Sequence, residues 1–354
     1  MGVGELLKYK TFRSNVTIIS LSIQNYNHFI FKTLKNSCVS LIIMLTELRK
    51  KDLEKQGYRF SGNHSAIKVC SWTKKSLRDE DVCYKNTFYG IQSHRCIQMT
   101  PSFCDTMRCI WCWRDIEFTK QNWDFPVDDP KNIVDESILQ HKEYLKGFAG
   151  NPKTNMKKFK EALNPLHFAI SLSGEPTFYP KLPQLLDEIK KREMTAFVVT
   201  NGTNPAMLKK LVKHQPTQLY ITLPAPDEET YLKCCSPLIN DGWKKIRQSL
   251  KLLKHFKRST IRLTLVKLEN MIAPEKYAGL IMMAQPLFVE VKAYVWVGHS
   301  RKRLSLHNMP RSHEIIDFAQ EIVKNSDYKI IDEKEESRVV LLMKKDFKGR
   351  IMKF

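Results

Sequence analysis

Six cysteines crowd into residues 70–112: Cys70, Cys83, Cys96, Cys104, Cys109 and Cys112. The first three are evenly spaced as C-x12-C-x12-C, and the next three follow as C-x4-C-x2-C. No other feature constrains the fold as much, because thiols this dense either cross-link, bind metal or are simply buried. Disulfide frameworks belong to small secreted chains, and this chain of 354 residues shows no cleavable signal peptide. It is long enough to bury about three quarters of its unfolded surface without staples. The total of nine cysteines, with Cys38, Cys234 and Cys235, is odd, which favours metal ligation in a reducing compartment. A zinc site usually takes four ligands in paired short spacings, and His64 and His94 are near enough in sequence to complete one. The three-plus-three grouping favours iron–sulfur chemistry instead. Three cysteines on a cubane leave one iron open to a substrate or cofactor.

From His167 onward, strands and helices alternate. The apolar runs HFAISLS (167–173), TAFVVT (195–200), QLYITL (218–223), STIRLTLVKL (259–268) and LFVEVKAYVWVG (287–298) read as strands. Helices are expected near 180–193, 204–214, 243–256 and 275–284, and the segment 312–345 predicts one helix and two strands. This alternation predicts βαβ units around a parallel sheet, with ligands at the strand C-termini. Residues 1–43 carry one acidic residue, Glu5, and no clear period. They read as an extension or a misassigned start, with Met44 opening the helical stretch LTELRKKDLEKQGY. The chain carries 58 Lys and Arg against 37 Asp and Glu, a net charge of +21. That excess points to a polyanion such as nucleic acid. Hydrophobic residues at 42% exclude a wholly disordered chain. Apolar runs such as Val39–Leu45 are too short to span a membrane.

At CIQMTPSFCDTMRCIWCWRD (96–115) the chain resembles the radical S-adenosylmethionine enzymes that make 4-demethylwyosine in tRNA. The resemblance runs from about Ala66 to the C-terminus, about four fifths of the chain. It implies a partial (β/α)6 TIM-like barrel of α/β class with a cysteine-rich N-terminal extension. Residues 44–95 would be that segment, 96–310 the radical core and 311–354 a C-terminal helix and strands. Cys104, Cys109 and Cys112 would hold the [4Fe–4S] cluster that binds S-adenosylmethionine. The family triad is C-x3-C-x2-C, and its first cysteine aligns with Asp105 here. The expectation is that Cys104 reaches the cluster across a one-residue change in the loop; the alternative is a weakened or absent cluster. Cys70, Cys83 and Cys96 would hold a second [4Fe–4S] cluster near pyruvate, and Lys85 would form a Schiff base with that co-substrate. Ser173, Gly174 and Glu175 match the family's GEP element, with Glu175 on the methionyl ammonium of the cofactor. Thr200, Asn201 and Gly202 would lie at its ribose and carboxylate. Arg262 and Thr264 are expected at its carboxylate or adenine.

The implied substrate is tRNA-Phe carrying N1-methylguanosine beside the anticodon. A deoxyadenosyl radical would take hydrogen from the N-methyl group, and the carbon radical would add to pyruvate. Loss of the pyruvate carboxyl carbon and ring closure would then give the tricyclic base. The target base would leave its stack to reach the site. Among the basic clusters, Arg301, Lys302 and Arg303 follow a strand end and are the best tRNA contacts. Trp111 and Trp113 would stack a base or shield iron. No flavodoxin-like segment precedes the cysteines, so an external electron donor of ferredoxin or flavodoxin type is expected, acting on a cytoplasmic monomer. The competing readings are another two-cluster radical enzyme, a zinc-stabilised RNA-binding protein, and an impaired paralogue that only binds tRNA.

Overall fold

The structure, a computed structural model, describes residues 46–354. The expectation for residues 1–43, and Cys38 with it, lies outside the described residues. The chain divides into two compact units, Met1–Lys51 and Asp52–Phe354. The described part of the first carries the start of helix α1 (Glu47–Lys55). Thr46 caps it, its Oγ1 accepting from the Arg49 N–H at 3.2 Å.

The second unit is built on one sheet. Strands β1 (Arg59–Phe60) and β2 (Ala66–Ile67) form a short hairpin, and helices α2 (Ser71–Leu77) and α3 (Tyr84–Tyr89) lead to β3 (Cys96–Thr100). Helices α4 (Pro130–Leu145) and α5 (Met156–Ala162) precede β4 (His167–Ile170). Then come α6 (Leu182–Lys191), β5 (Thr195–Thr200), α7 (Pro205–Leu211), β6 (Gln218–Thr222), α8 (Glu228–Cys235) and α9 (Gly242–Leu250). The chain continues through β7 (Ser259–Leu265), α10 (Pro274–Ala284), β8 (Phe288–Ala293), α11 (Ser312–Lys324), β9 (Lys329–Lys334) and β10 (Val339–Met343). Strands β3 to β8 run parallel in chain order. The hairpin joins β3 antiparallel at one side, and β10 joins β8 antiparallel at the other with β9 outermost.

The parallel strands are largely buried on both faces, as a sheet covered on both sides requires. Outward-facing Val198, Ile221, Leu263 and Val291 join helical residues such as Ile189, Ile246 and Ile281 in one core. Inward-facing Phe197, Tyr220, Phe288 and Leu341 close on Tyr84, Phe88 and Tyr89 of α3 in a second. Strands from β5 to β10 thus touch one short helix, so the sheet curls around α3. Its end strands β1 and β9 do not pair with each other, which leaves the barrel partial. A fully buried ring of this kind contributes about 1.5–3 kcal/mol, whereas an exposed ion pair contributes about 0–1 kcal/mol. The aromatic plug, rather than the surface Lys–Glu pairs, therefore closes that end.

The strand expected over 287–298 is shorter than the apolar run. Pairing with β7 ends at Ala293, because the chain leaves the sheet there and turns at Gly298. That glycine has φ +59, and a Cβ on it would sit 2.3 Å from the Trp113 carbonyl oxygen. The His299 N–H donates to the same carbonyl at 2.8 Å. Residues after the strand are thereby used to hold the cysteine loop. Among the described residues, no helix is long and apolar enough to cross a membrane.

Candidate active site

The loop from β3, residues 101–115, lies across the carboxyl ends of the parallel strands and is bolted down from several elements. The last turn of α8 receives it, with Arg108 N–H on the Cys235 carbonyl at 2.8 Å and Ile110 N–H on that of Cys234 at 2.9 Å. Arg303 clamps it from the other side through the carbonyls of Ile110, at 3.1 Å, and Cys112. After β4 the chain meets it edge-on, the Glu175 N–H donating to the Cys104 carbonyl at 2.6 Å. Gly174 permits that approach: with φ +57, a Cβ would lie 2.3 Å from the Ser102 oxygen and 2.7 Å from that of Cys104.

Beneath this loop is a cavity of ≈190 Å³ lined by Asp105, Cys109, Cys112, Arg114, Glu175 and Asn201 among others. Cys104 is not part of that lining, contrary to expectation. It has no exposed surface, and its Sγ donates to the Asn122 carbonyl at 3.2 Å. Burial pushes the Cys104 thiol up to about 11. The residue facing Cys109 and Cys112 is Asp105. Burial raises its carboxyl above the usual range, against the pull of the Arg114 guanidinium.

Of the residues expected around the cofactor, Gly174, Glu175 and Asn201 line this cavity, and Ser173, Thr200 and Gly202 adjoin it through hydrogen bonds. Ser173 Oγ lies 3.4 Å from Arg114 Nη1. Glu175 Oε1 accepts from Thr177 N and Oγ1 and from Thr200 Oγ1, at 3.0, 2.6 and 2.7 Å, and Oε2 accepts from Asn201 N at 2.7 Å. Its carboxylate is therefore engaged chiefly in tying β4 to β5, with Oε2 the less occupied oxygen. Asn201 Nδ2 reaches Asp105 Oδ1 at 2.9 Å, and Gly202 donates its N–H to Thr200 Oγ1 at 3.0 Å. Arg262 and Thr264 do not line the cavity; Arg262 Nε holds Glu290 at 3.0 Å and its Nη2 holds the Tyr84 hydroxyl at 2.7 Å. On β7 the side chains alternate, and Arg262 falls on the inner face over α3.

That inner face carries the second cysteine set. Cys70 caps α2, Cys83 precedes α3 and Cys96 opens β3. The three are mutual neighbours: burial first, then Cys70, pushes up the thiol of Cys96, and burial takes Cys83 up to about 11. Lys85, in the first turn of α3, is buried with its Nζ 5.2 and 5.0 Å from the ring centres of Phe197 and Tyr220. Burial, and then the Arg262 guanidinium, lowers the Lys85 pKa. Lys292 shares this face, lowered to about 8 by burial.

Neither histidine of the zinc alternative points to these thiols. His64 binds the Pro101 carbonyl through Nδ1 at 2.7 Å and accepts from Asp128 N–H through Nε2 at 3.1 Å. His94 Nε2 meets Glu161 at 2.8 Å. Among the described residues no group of three His, Cys, Asp or Glu converges as a single metal ion needs. In the basic cluster, Arg301 and Lys302 are exposed, and Arg301 lies 4.8 Å over the Trp296 ring. Arg303 is committed to the cysteine loop. Trp111 and Trp113 both line the cavity, and Trp113 stacks on Tyr58 at 6.4 Å with Lys68 4.9 Å above it.

Two groups escaped the reading of the sequence. Arg114 is the third residue of CWR, and its Nε is buried without a hydrogen-bond partner; its place beside the triad was the available signal. Glu290 has no exposed surface and accepts from Tyr84, Tyr89 and Arg262 at 3.0, 2.9 and 3.0 Å. A lone acid inside FVEVKA was its signal.

Comparison with known proteins places this arrangement. Residues 101–281 match the family model of the Radical SAM superfamily and residues 283–344 that of Wyosine base formation. An S-adenosyl-L-methionine-dependent tRNA 4-demethylwyosine synthase of Pyrococcus horikoshii is 52% identical over 299 residues, covering 82% of this chain and 87% of that protein. The enzyme of that name from Methanocaldococcus jannaschii is 40% identical over 317 residues, covering 86% and 98%. A solved structure of TYW1 with a lysine–pyruvate adduct bound superposes with a TM-score of 0.77 at 39% identity, covering 85% of this chain and 97% of that one. A crystal structure of archaeal TYW1 gives 0.70 at 37%, with the same coverage.

Proposed function

The chain belongs to the tRNA 4-demethylwyosine synthases of the radical S-adenosylmethionine superfamily, and from that premise we propose that it converts N1-methylguanosine of tRNA-Phe, with pyruvate, into 4-demethylwyosine. The observation that carries this reading is Lys85, a buried amine on the same inner face as Cys70, Cys83 and Cys96. A relative of this fold holds a lysine–pyruvate adduct.

The donor chemistry fits the two implied clusters. Cys70, Cys83 and Cys96 would hold one, and Cys109 and Cys112, with a third ligand from the Cys104–Asp105 step, the other. Bound together, the cluster at Cys109 and Cys112 and S-adenosylmethionine would supply one-electron cleavage of the sulfonium and abstraction of the N-methyl hydrogen. The protein's residues do the rest. Lys85 Nζ, unprotonated, attacks the pyruvate carbonyl carbon; water leaves and an imine forms. Lys292 and Arg262 put positive charge on the same face for the pyruvate carboxylate. Glu175 Oε2 keeps an acceptor position for the cofactor's ammonium, and Asn201 lies beside it. Arg114 balances the negative charge gathered at Asp105 and Cys112. On this reading residues 44–95 carry Cys70 and Cys83 of the second cluster, 96–310 form the radical core and 311–354 the closing helix and strands. Exposed Arg301 and Lys302 offer tRNA contacts, an external ferredoxin- or flavodoxin-type donor supplies the electron, and the enzyme works as a cytoplasmic monomer.

The test is a nucleoside mass analysis after anaerobic reaction of reconstituted protein with dithionite, S-adenosylmethionine, labelled pyruvate and tRNA bearing N1-methylguanosine. A tricyclic nucleoside carrying pyruvate-derived label is expected. Unchanged tRNA with accumulating 5′-deoxyadenosine would overturn the substrate and leave the radical chemistry standing.

A further inference from the structure

Cys104 and Asp105 are adjacent on an extended stretch, where Cys104 bridges Lys120. Successive side chains of extended backbone point to opposite sides, so only one of the two can face Cys109 and Cys112. Asp105 has that side. The register is pinned from both flanks. Asp105 N–H donates to the Lys120 carbonyl at 2.8 Å, and the Cys104 carbonyl accepts from Glu175 N–H at 2.6 Å. Exchanging the two side chains would break these bonds. It would also aim a carboxylate at the Asn122 carbonyl oxygen that now receives the Cys104 thiol, burying two acceptors with no proton between them. Counted from Asp105, the ligand spacing is D-x3-C-x2-C, the family's own interval with a carboxylate in its first place. The hydrogen bonds to the Asp105 carboxylate from Thr106 N, Met107 N and Asn201 Nδ2 all fall on Oδ1. Oδ2 is left for a metal.

We propose that Asp105, rather than Cys104, completes the ligand set of the S-adenosylmethionine cluster, through Oδ2 beside the thiolates of Cys109 and Cys112. This rests on the radical S-adenosylmethionine reading of the same site. A carboxylate is a harder donor than a thiolate, so the iron it holds is the more readily lost, and Cys104 serves only to fill the core behind the loop. A small apolar residue would replace Cys104 there.

The test counts iron and acid-labile sulfide in the reconstituted full chain, with Cys109→Ala as the measure of what loss of this cluster removes. Cys104→Ala is expected to keep the native content. Asp105→Asn, which preserves the acceptor for Thr106 and Met107, is expected to fall to the Cys109→Ala level, and Asp105→Cys to restore a cluster that survives chelator longer than the native one. Loss on Cys104→Ala with retention on Asp105→Asn overturns the proposal, as does retention on both. If both substitutions strip iron, electron–nuclear double resonance of the reduced native chain, grown with carbon-13 aspartate, decides. A coupled carboxylate carbon upholds Asp105, and its absence overturns it. A native chain with no more iron than Cys109→Ala also overturns it. None of these readouts needs tRNA or pyruvate. A cluster held by Asp105 in a chain that leaves N1-methylguanosine untouched would keep this assignment and remove the functional reading.

Discussion

Glu290 and Lys85 occupy the same inner face and show how differently two buried charges can be treated. Glu290 is surrounded by donors and paired with Arg262, so removing it leaves a guanidinium buried without its partner. Glu290→Leu should cost about 3–5 kcal/mol in denaturant unfolding, and adding Arg262→Leu should recover much of that. A double variant no more stable than the single one would show that the pair is not the cause. Lys85 instead lies over two aromatic rings with its ammonium form disfavoured by burial and Arg262. Borohydride treatment with labelled pyruvate should leave label on the native chain and none on Lys85→Arg, which keeps a charge but cannot form an imine. Label on the variant would move the nucleophile to Lys292.

At the scale of elements, the cysteine loop owes its shape to backbone contacts from the chain after β4, the end of α8 and the turn after β8. Gly174→Ala would force a left-handed backbone and a clash with the Ser102 oxygen; about 1–3 kcal/mol for the backbone alone is expected. The denaturant midpoint of the apo protein should fall accordingly, and an unchanged midpoint would show that the two loops can part freely. Helix α4 carries a separate sensitivity. Burial holds the His141 imidazole down to about 4, below the ordinary value of about 6.5. The unfolded chain then takes up a proton that the fold refuses. The stabilisation is complete above pH of about 6.5 and drains away as pH falls toward 4, by up to about 3 kcal/mol. His141→Leu should flatten that fall in urea titrations between those pH values; parallel curves for variant and native chain would refute it.

The whole molecule carries +21, and long-range steering of a polyanion follows from charge rather than from fold. Affinity for tRNA should drop steeply with salt. Lys302→Ala should lessen the logarithmic salt slope by about 1 if that exposed residue meets a phosphate. Arg303→Ala should act differently, leaving the slope alone while loosening the Ile110–Cys112 loop and its iron. Equal slope changes in the two variants would return Arg303 to the RNA surface.

Strand order was legible in the sequence because parallel strands covered on both faces are written as short apolar runs, so TAFVVT and the stretches flanking it became β5 and its neighbours with little change. The cysteine spacing likewise pointed to iron–sulfur chemistry of the radical S-adenosylmethionine kind, since ligand chemistry depends on residue type. What spacing cannot carry is the direction of a side chain. Whether Cys104 or Asp105 faces the cavity was decided by the extended backbone at that step and by the bonds from Lys120 and Glu175, residues distant in the chain. The same reason turned Arg262 from the cavity toward Glu290, and drew Arg303 onto the loop. Residue types and their intervals state which chemistry is possible; packing around distant partners decides which atoms face it.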